Sequence, residues 1–142
     1  MRRGVKAERD LLDLFWSNGI AALRVAGSGS TGHPASDLVV GISGRFFLIE
    51  VKTTSGEKVY IDPEEVKELE KLSSLMGAEA WIAIKFKKGD RGFYFVKLSD
   101  LEGTRRGYRI SSDLARKKGI RHDVFMGIIS GRIAVISNSK NK

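Results

Sequence analysis

The stretch that decides the fold is Asp37-Leu38-Val39-Val40-Gly41-Ile42-Ser43-Gly44-Arg45-Phe46-Phe47-Leu48-Ile49-Glu50-Val51-Lys52. Apolar residues crowd both sides of Ser43-Gly44, a pair suited to a two-residue turn. The stretch therefore reads as a β-hairpin with strands over 37–42 and 45–53. A two-residue turn pairs Ile42 with Arg45 and, counting outward, Asp37 with Glu50. Residues directly opposed on a ladder have Cβ atoms ~4.5–5.5 Å apart, so two like charges there repel unless something positive lies between them. Glu50 and Lys52 are two apart on one strand and share a face. The runs Leu38-Val39-Val40 and Phe46-Phe47-Leu48-Ile49 point to strands covered on both sides. A polar trio emerging from such a hairpin is costly unless it has partners. Two facing carboxylates suit Mg²⁺, which takes one or two protein carboxylates and keeps waters for a substrate phosphate. A cation of that kind activates water, and Lys52 can orient that water or stabilise developing charge. The competing reading is an ordinary Glu50–Lys52 surface pair with Asp37 beside the turn.

Upstream of the hairpin, residues 5–18 predict a helix with Val5, Glu8, Leu11, Leu12 and Phe15 on one face, ended by Asn18-Gly19. A carboxylate on that core-facing stripe needs a cation or donor nearby, which makes Glu8 a candidate third metal-associated acid. The alternative is a side chain snorkelling at the edge of the stripe. A short strand over 21–25 follows. Then comes Gly27-Ser28-Gly29-Ser30-Thr31-Gly32-His33-Pro34, which fits the G-x-G-x-x-G pattern of dinucleotide sites. That pattern should open a crossover helix, and here the next strand begins five residues after Gly32. No nucleotide cofactor is expected. The loop reads instead as a place where backbone N–H groups and the Ser28 or Ser30 hydroxyl hold a phosphate beside Asp37.

Downstream, residues 59–61 are extended. Asp62 caps a second helix, with Pro63 at its first position and Glu65 completing a capping-box pattern. Val66, Leu69, Leu72 and Met76 form its apolar stripe, and Gly77 closes it. Residues 81–86 and 93–96 read as a strand pair, 108–110 as a strand, 112–118 as a helical turn, 123–129 as a short helix and 133–136 as a strand. The order of elements predicts one α/β domain over residues 1–136, a central mixed β-sheet flanked by helices, followed by a polar tail over 137–142.

The chain has 142 residues, 25 Lys+Arg against 17 Asp+Glu and a net charge of +8, enough length for one domain with its own core. It has no cysteine, which excludes a disulfide scaffold, a Cys-ligated zinc site, an iron–sulfur cluster and a thiol nucleophile. With only His33 and His122, a multi-His metal site is excluded too. No apolar run reaches the ~18 residues of a membrane span, and Met1-Arg2-Arg3-Gly4 is not followed by a signal-peptide core. A cytoplasmic protein with no membrane association is expected. The positive balance favours nucleic acid as partner. Basic residues cluster at Arg2, Arg3, Lys6 and Arg9, at Lys85, Lys87 and Lys88, and from Arg105 to Arg121. Without zinc-finger, RNP or zipper patterns, contact should fall on the phosphate backbone and on shape.

Asp37, twelve residues, then Glu50-Val51-Lys52 resembles the PD-(D/E)XK nuclease signature. Together with Gly4-Val5-Lys6-Ala7-Glu8-Arg9, Arg24-Val25-Ala26-Gly27-Ser28-Gly29-Ser30, Ser36-Asp37-Leu38-Val39 and Trp81-Ile82-Ala83-Ile84-Lys85-Phe86, it makes the chain similar to the archaeal Holliday junction resolvases of the Hjc/Hje type. The similarity covers roughly the first hundred residues well. It implies a restriction-endonuclease-like fold and a homodimeric endonuclease on four-way junction DNA, dependent on Mg²⁺ with Mn²⁺ able to substitute. It assigns Glu8, Asp37 and Glu50 to the metal site and Lys52 to catalysis. Ser28 matches a loop serine important in these enzymes, with Ser30 the nearby alternative. Arg9 and Arg24 match positions that contact DNA or shape the site, and Arg3 and Lys6 extend that basic surface. The sequence departs from the motif's name in having Ala35-Ser36 before Asp37, with Pro34 displaced. The alternatives within reach are another nuclease of this superfamily acting on damaged or flapped DNA, and a non-catalytic DNA-binding subunit with the same fold.

Overall fold

Ser43 and Gly44 both take positive φ, 50° and 82°, the backbone that a tight two-residue hairpin turn requires. The computed structural model describes residues 3–27, 32–89 and 91–134. In it the turn joins β2 (Leu38–Ile42) to β3 (Arg45–Thr54), and the ladder runs from Ile42↔Arg45 to Leu38↔Ile49, the register expected from the turn. Asp37 sits one residue before β2, where its carbonyl accepts the Val25 amide at 2.9 Å.

Around this hairpin the chain lays down α1 (Arg3–Ser17), β1 (Ala21–Arg24), β4 (Lys58–Ile61), α2 (Pro63–Met76), β5 (Glu79–Phe86), β6 (Phe93–Lys97), a 3-10 turn (Leu98–Asp100), β7 (Glu102–Thr104), β8 (Gly107–Ser111), α3 (Ser112–Lys118), β9 (Ile120–Arg121) and α4 (His122–Ile129). Six strands form one sheet in the order β1-β2-β3-β5-β6-β9. Its one parallel pair is β3–β5, from Phe47↔Glu79 to Thr54↔Phe86, because α2 carries the chain back between them. The expected α/β domain with a central mixed sheet is therefore what forms.

The alternation of β3 sends its side chains to two different cores. Phe47, Ile49 and Val51 join Ala7, Leu11 and Phe15 of α1 and Phe125 and Met126 of α4. The Phe125 ring stacks on Phe95 at 4.0 Å between centroids and meets Trp81 and Phe47 edge-on. On the other side Ile82, Ile84 and Phe86 of β5 pack with Val66 and Leu69 of α2 and Ala115 of α3. Glu50 and Lys52, paired with Ile82 and Ile84, stand on this second face.

β9 and the 3-10 turn are not among the expected elements, and two larger features also depart from them. A second, three-stranded sheet, β4-β8-β7, stands apart from the first. It docks on the start of α2 at Gly107, whose φ is 146° and where an added Cβ would lie 2.9 Å from both the Ile61 carbonyl oxygen and Pro63 Cδ. Ile133 and Ala134, expected as the start of a strand, are not in one. The Ile133 amide instead donates to the Gly127 carbonyl at 2.9 Å, folding the chain back over the end of α4. The rest of that expected strand and the expected tail lie outside the described residues. No helix among the described residues is long and apolar enough to cross a membrane.

Candidate active site

The open end of the β2–β3 hairpin gathers the polar trio. Asp37 approaches β3 closely enough for its Oδ2 to accept the Val51 amide at 2.8 Å. Burial raises the Asp37 pKa, and this amide bond only partly opposes the rise. Burial also raises Glu50, the charge of Asp37 adds to it, and the result is about 8. The charge of Lys52 offsets only part of these rises, so the two carboxylates remain an electrostatically uncomfortable pair. Burial alone would lower Lys52. The hydrogen bond to Glu65, then the charges of Glu65, Glu50 and Asp37, outweigh it and hold the ammonium above its ordinary pKa.

Glu65 comes from α2. Its Oε2 accepts Lys52 Nζ at 2.8 Å, with the lysine side chain 22% and the glutamate 34% exposed. Its other oxygen accepts the Asp62 amide at 3.3 Å, the capping bond expected at the start of α2. Sequence reasoning found Glu65 as a cap and missed it as a partner of Lys52. Nothing local could have shown the second role, because it depends on where α2 docks against β3.

Glu8 and Arg24 approach from the other side of the sheet. Arg24 pairs with Leu38, and Leu38 with Ile49, which places Arg24 on the α1 face. There its Nε donates to Glu8 Oε1 at 2.8 Å, with the side chains only 26% and 15% exposed. The largely buried Glu8 thus has its cation in Arg24. Glu8 is still near enough for its charge to raise both Asp37 and Glu50. Among the described residues no three His, Asp or Glu side chains stand together as a metal-binding group. Asp37 and Glu50 form the close acidic pair, and Glu8 is the flanking charge.

Of the expected DNA-contacting residues, Arg9 and Lys6 lie exposed on α1, and Lys6 Nζ pairs with Asp10 at 3.0 Å. Lys6 also lines a cavity of about 330 Å³ with Asp10, Thr53, Lys85, Lys87 and Arg91, a cationic cleft on the α1 face beyond Val51. Arg3 begins α1, but its side chain lies outside the described set, and Ser28 and Ser30 lie outside the described residues. In the basic C-terminal half several charges are paired within the fold: Arg109 with Glu102 at 2.7 Å and Lys117 with Asp113 at 3.3 Å.

A mixed sheet whose central hairpin carries two carboxylates and a lysine at its open end, braced by helices on both faces, follows the restriction-endonuclease plan. Residues 1–130 match the family profile described as archaeal Holliday junction resolvase (hjc). The chain is similar to the crossover junction endodeoxyribonuclease Hjc of Archaeoglobus fulgidus, at 36% identity over 112 residues, which cover 79% of this chain and 81% of the relative. It is similar to the protein of the same name from Sulfolobus acidocaldarius at 26% identity over 134 residues, covering 93% and 92%. The solved structure of the Archaeoglobus fulgidus Hjc, a Holliday junction resolvase, matches with a TM-score of 0.79 at 32% identity, covering 87% of this chain and 100% of that one. The chain belongs to the archaeal Holliday junction resolvase (Hjc) family.

Proposed function

We propose that the protein is a crossover junction endodeoxyribonuclease that nicks four-way DNA junctions, with Asp37, Glu50 and Lys52 as its cleavage site. The observation that carries this reading is the grouping of these three side chains at one hairpin end, with Glu50 raised to about 8 by burial and by Asp37. Hard oxygen donors that repel one another fit a divalent cation, with Mg²⁺ the natural occupant and Mn²⁺ a substitute. Asp37 and Glu50 would hold it, with Glu8 adding negative charge behind them. A bound cation of this kind screens phosphate charge and makes water a stronger nucleophile.

The chain's own groups do the rest. Lys52 remains an ammonium at neutral pH, so it acts as a proton donor and a stabiliser of developing negative charge, not as a base. Arg24, aimed by Glu8 from the other sheet face, supplies a planar cation suited to a phosphate oxygen. Lys6 and Arg9, with the cleft lined by Lys85, Lys87 and Arg91, offer further phosphate contacts. Ser28 and Ser30 complete the proposed surface around the scissile strand.

Resolution of a junction requires two symmetric cuts, and one chain offers one such site. A two-fold symmetric homodimer follows from that requirement. The test is to measure nicking and gel shift of a four-way junction with the same preparations of wild type, Asp37→Asn, Glu50→Gln and Lys52→Ala. All three variants should bind and fail to cut. Wild-type cleavage by any of them removes that residue from the site.

A further inference from the structure

The Lys52–Glu65 pair has a feature the cleavage chemistry leaves unused. One carboxylate serves two masters: Oε2 accepts Lys52 Nζ at 2.8 Å while Oε1 accepts the Asp62 amide at 3.3 Å. Lys52 sits on the central strand, and Asp62 is the N-cap of α2. The start of that helix is fixed independently. Pro63 holds its first position, Ile61 is buried, and β8 presses Gly107 against Ile61 and Pro63. The lysine head group is therefore tied to an element anchored outside the hairpin.

A lysine chain has four rotatable bonds and, left alone, samples many positions. Its neighbours on the strand face, Glu50 and Asp37, also attract it electrostatically. Without Glu65, the ammonium would be drawn inward onto those carboxylates and would compete with any cation for them. Glu65 offers it an alternative anion on the helix side.

We infer that Glu65 is the positioning residue of the site, holding the Lys52 ammonium away from the Asp37–Glu50 pair and making its placement depend on the docking of α2. The inference rests on the reading of Lys52 as part of the cleavage machinery. Glu65 itself acts through Lys52 and through no contact with substrate.

Glu65→Gln separates the two duties. The amide keeps a carbonyl oxygen that can cap the Asp62 amide but loses the negative charge that holds the Lys52 ammonium. Asp62→Ala is the control, because it weakens the same helix start from the other half of the cap and leaves the Lys52–Glu65 contact in place. Three quantities are read on each: single-turnover cleavage of a four-way junction, the Kd for that junction, and the ¹³C relaxation of the Lys52 ε-methylene. Glu65→Gln should slow cleavage about 10- to 100-fold, the scale of a small misplacement of a reacting group. Its Kd should hold, and the Lys52 side chain should become more mobile. Asp62→Ala should lower the melting temperature with cleavage and Lys52 mobility unchanged. Wild-type cleavage by Glu65→Gln, or equal slowing by Asp62→Ala, overturns the inference while leaving the cleavage site intact. Wild-type cleavage by Lys52→Ala overturns both.

Discussion

Glu50 is the residue on which the chemistry and the stability of the protein pull against each other. Its pKa rises from an ordinary 4.5 in the unfolded chain to about 8 in the fold. A carboxyl raised on folding contributes stability that is complete below the unfolded pKa and is lost as pH climbs through the folded one. Metal-free protein should therefore melt at progressively lower temperature between about pH 5 and pH 8, and Asp37, raised in the same direction, adds to the trend. Glu50→Gln cannot ionise and should melt higher than wild type near pH 8, with the gap closing toward pH 5. Adding Mg²⁺ should raise the melting temperature of wild type and not of the variant, since a ligand stabilises the state that binds it. Thermal melts in EDTA and in Mg²⁺ across that range check both points, and a pH-independent difference between the proteins would contradict them. The hairpin register that brings Asp37 up to β3 and the shared face of Glu50 and Lys52 were legible in the sequence, because strand period and turn length are local rules. The Glu8–Arg24 pair was legible only in half: the stripe position of Glu8 demanded a cation, and nothing local said which. Ser28 and Ser30 can be ordered by experiment. Ser28→Ala should slow cleavage more than Ser30→Ala if the loop alignment is right, and the reverse order would shift the register.

At the scale of elements, the hairpin turn sets the site. Sliding β3 by one residue against β2 would turn Glu50 and Lys52 to the α1 face. Gly44, at φ 82°, guards against this. Gly44→Ala forces a Cβ into left-handed backbone and should cost about 1–2 kcal/mol. Ser43→Asn, a residue that tolerates the φ of 50°, should be neutral or stabilising by comparison. Urea denaturation of the two variants gives the contrast, and equal stabilities would show that another feature holds the register. On the α1 side, Phe125→Ala would empty the space between Phe95, Trp81 and Phe47 and should cost about 3–5 kcal/mol by the same measurement. The helices and the central strands could be read from periodicity and caps. Of the second sheet, β4 and β8 could be read as the extended pieces over 59–61 and 108–110, but β7 and the pairing of the three could not. β7 is Glu102-Gly103-Thr104, with no apolar alternation, and it exists because β8 offers it an edge. Ile133 reads as the start of a strand for the same reason in reverse: its side chain covers Gly127, where an added Cβ would meet it.

For the whole molecule, charge gives affinity and shape gives selection. The proposed dimer would carry about twice the +8 of one chain. Log K for DNA should fall linearly with log salt, at a slope of about −0.9 per phosphate neutralised. Linear duplex carries the same phosphates and suffers the same screening. In the proposed dimer, two sites at a fixed separation would match two strands of a branched junction and not a straight rod, so the preference for junction over duplex should survive as salt rises. The most direct measurement is cleavage of a four-way junction and of linear duplex of the same length and sequence, side by side, with Mg²⁺ and with EDTA. Paired, symmetric nicks in the junction alone, and only with Mg²⁺, are expected. Equal cutting of the duplex, or junction cutting undiminished in EDTA, would contradict a metal-dependent, junction-selective nuclease built on Asp37, Glu50 and Lys52.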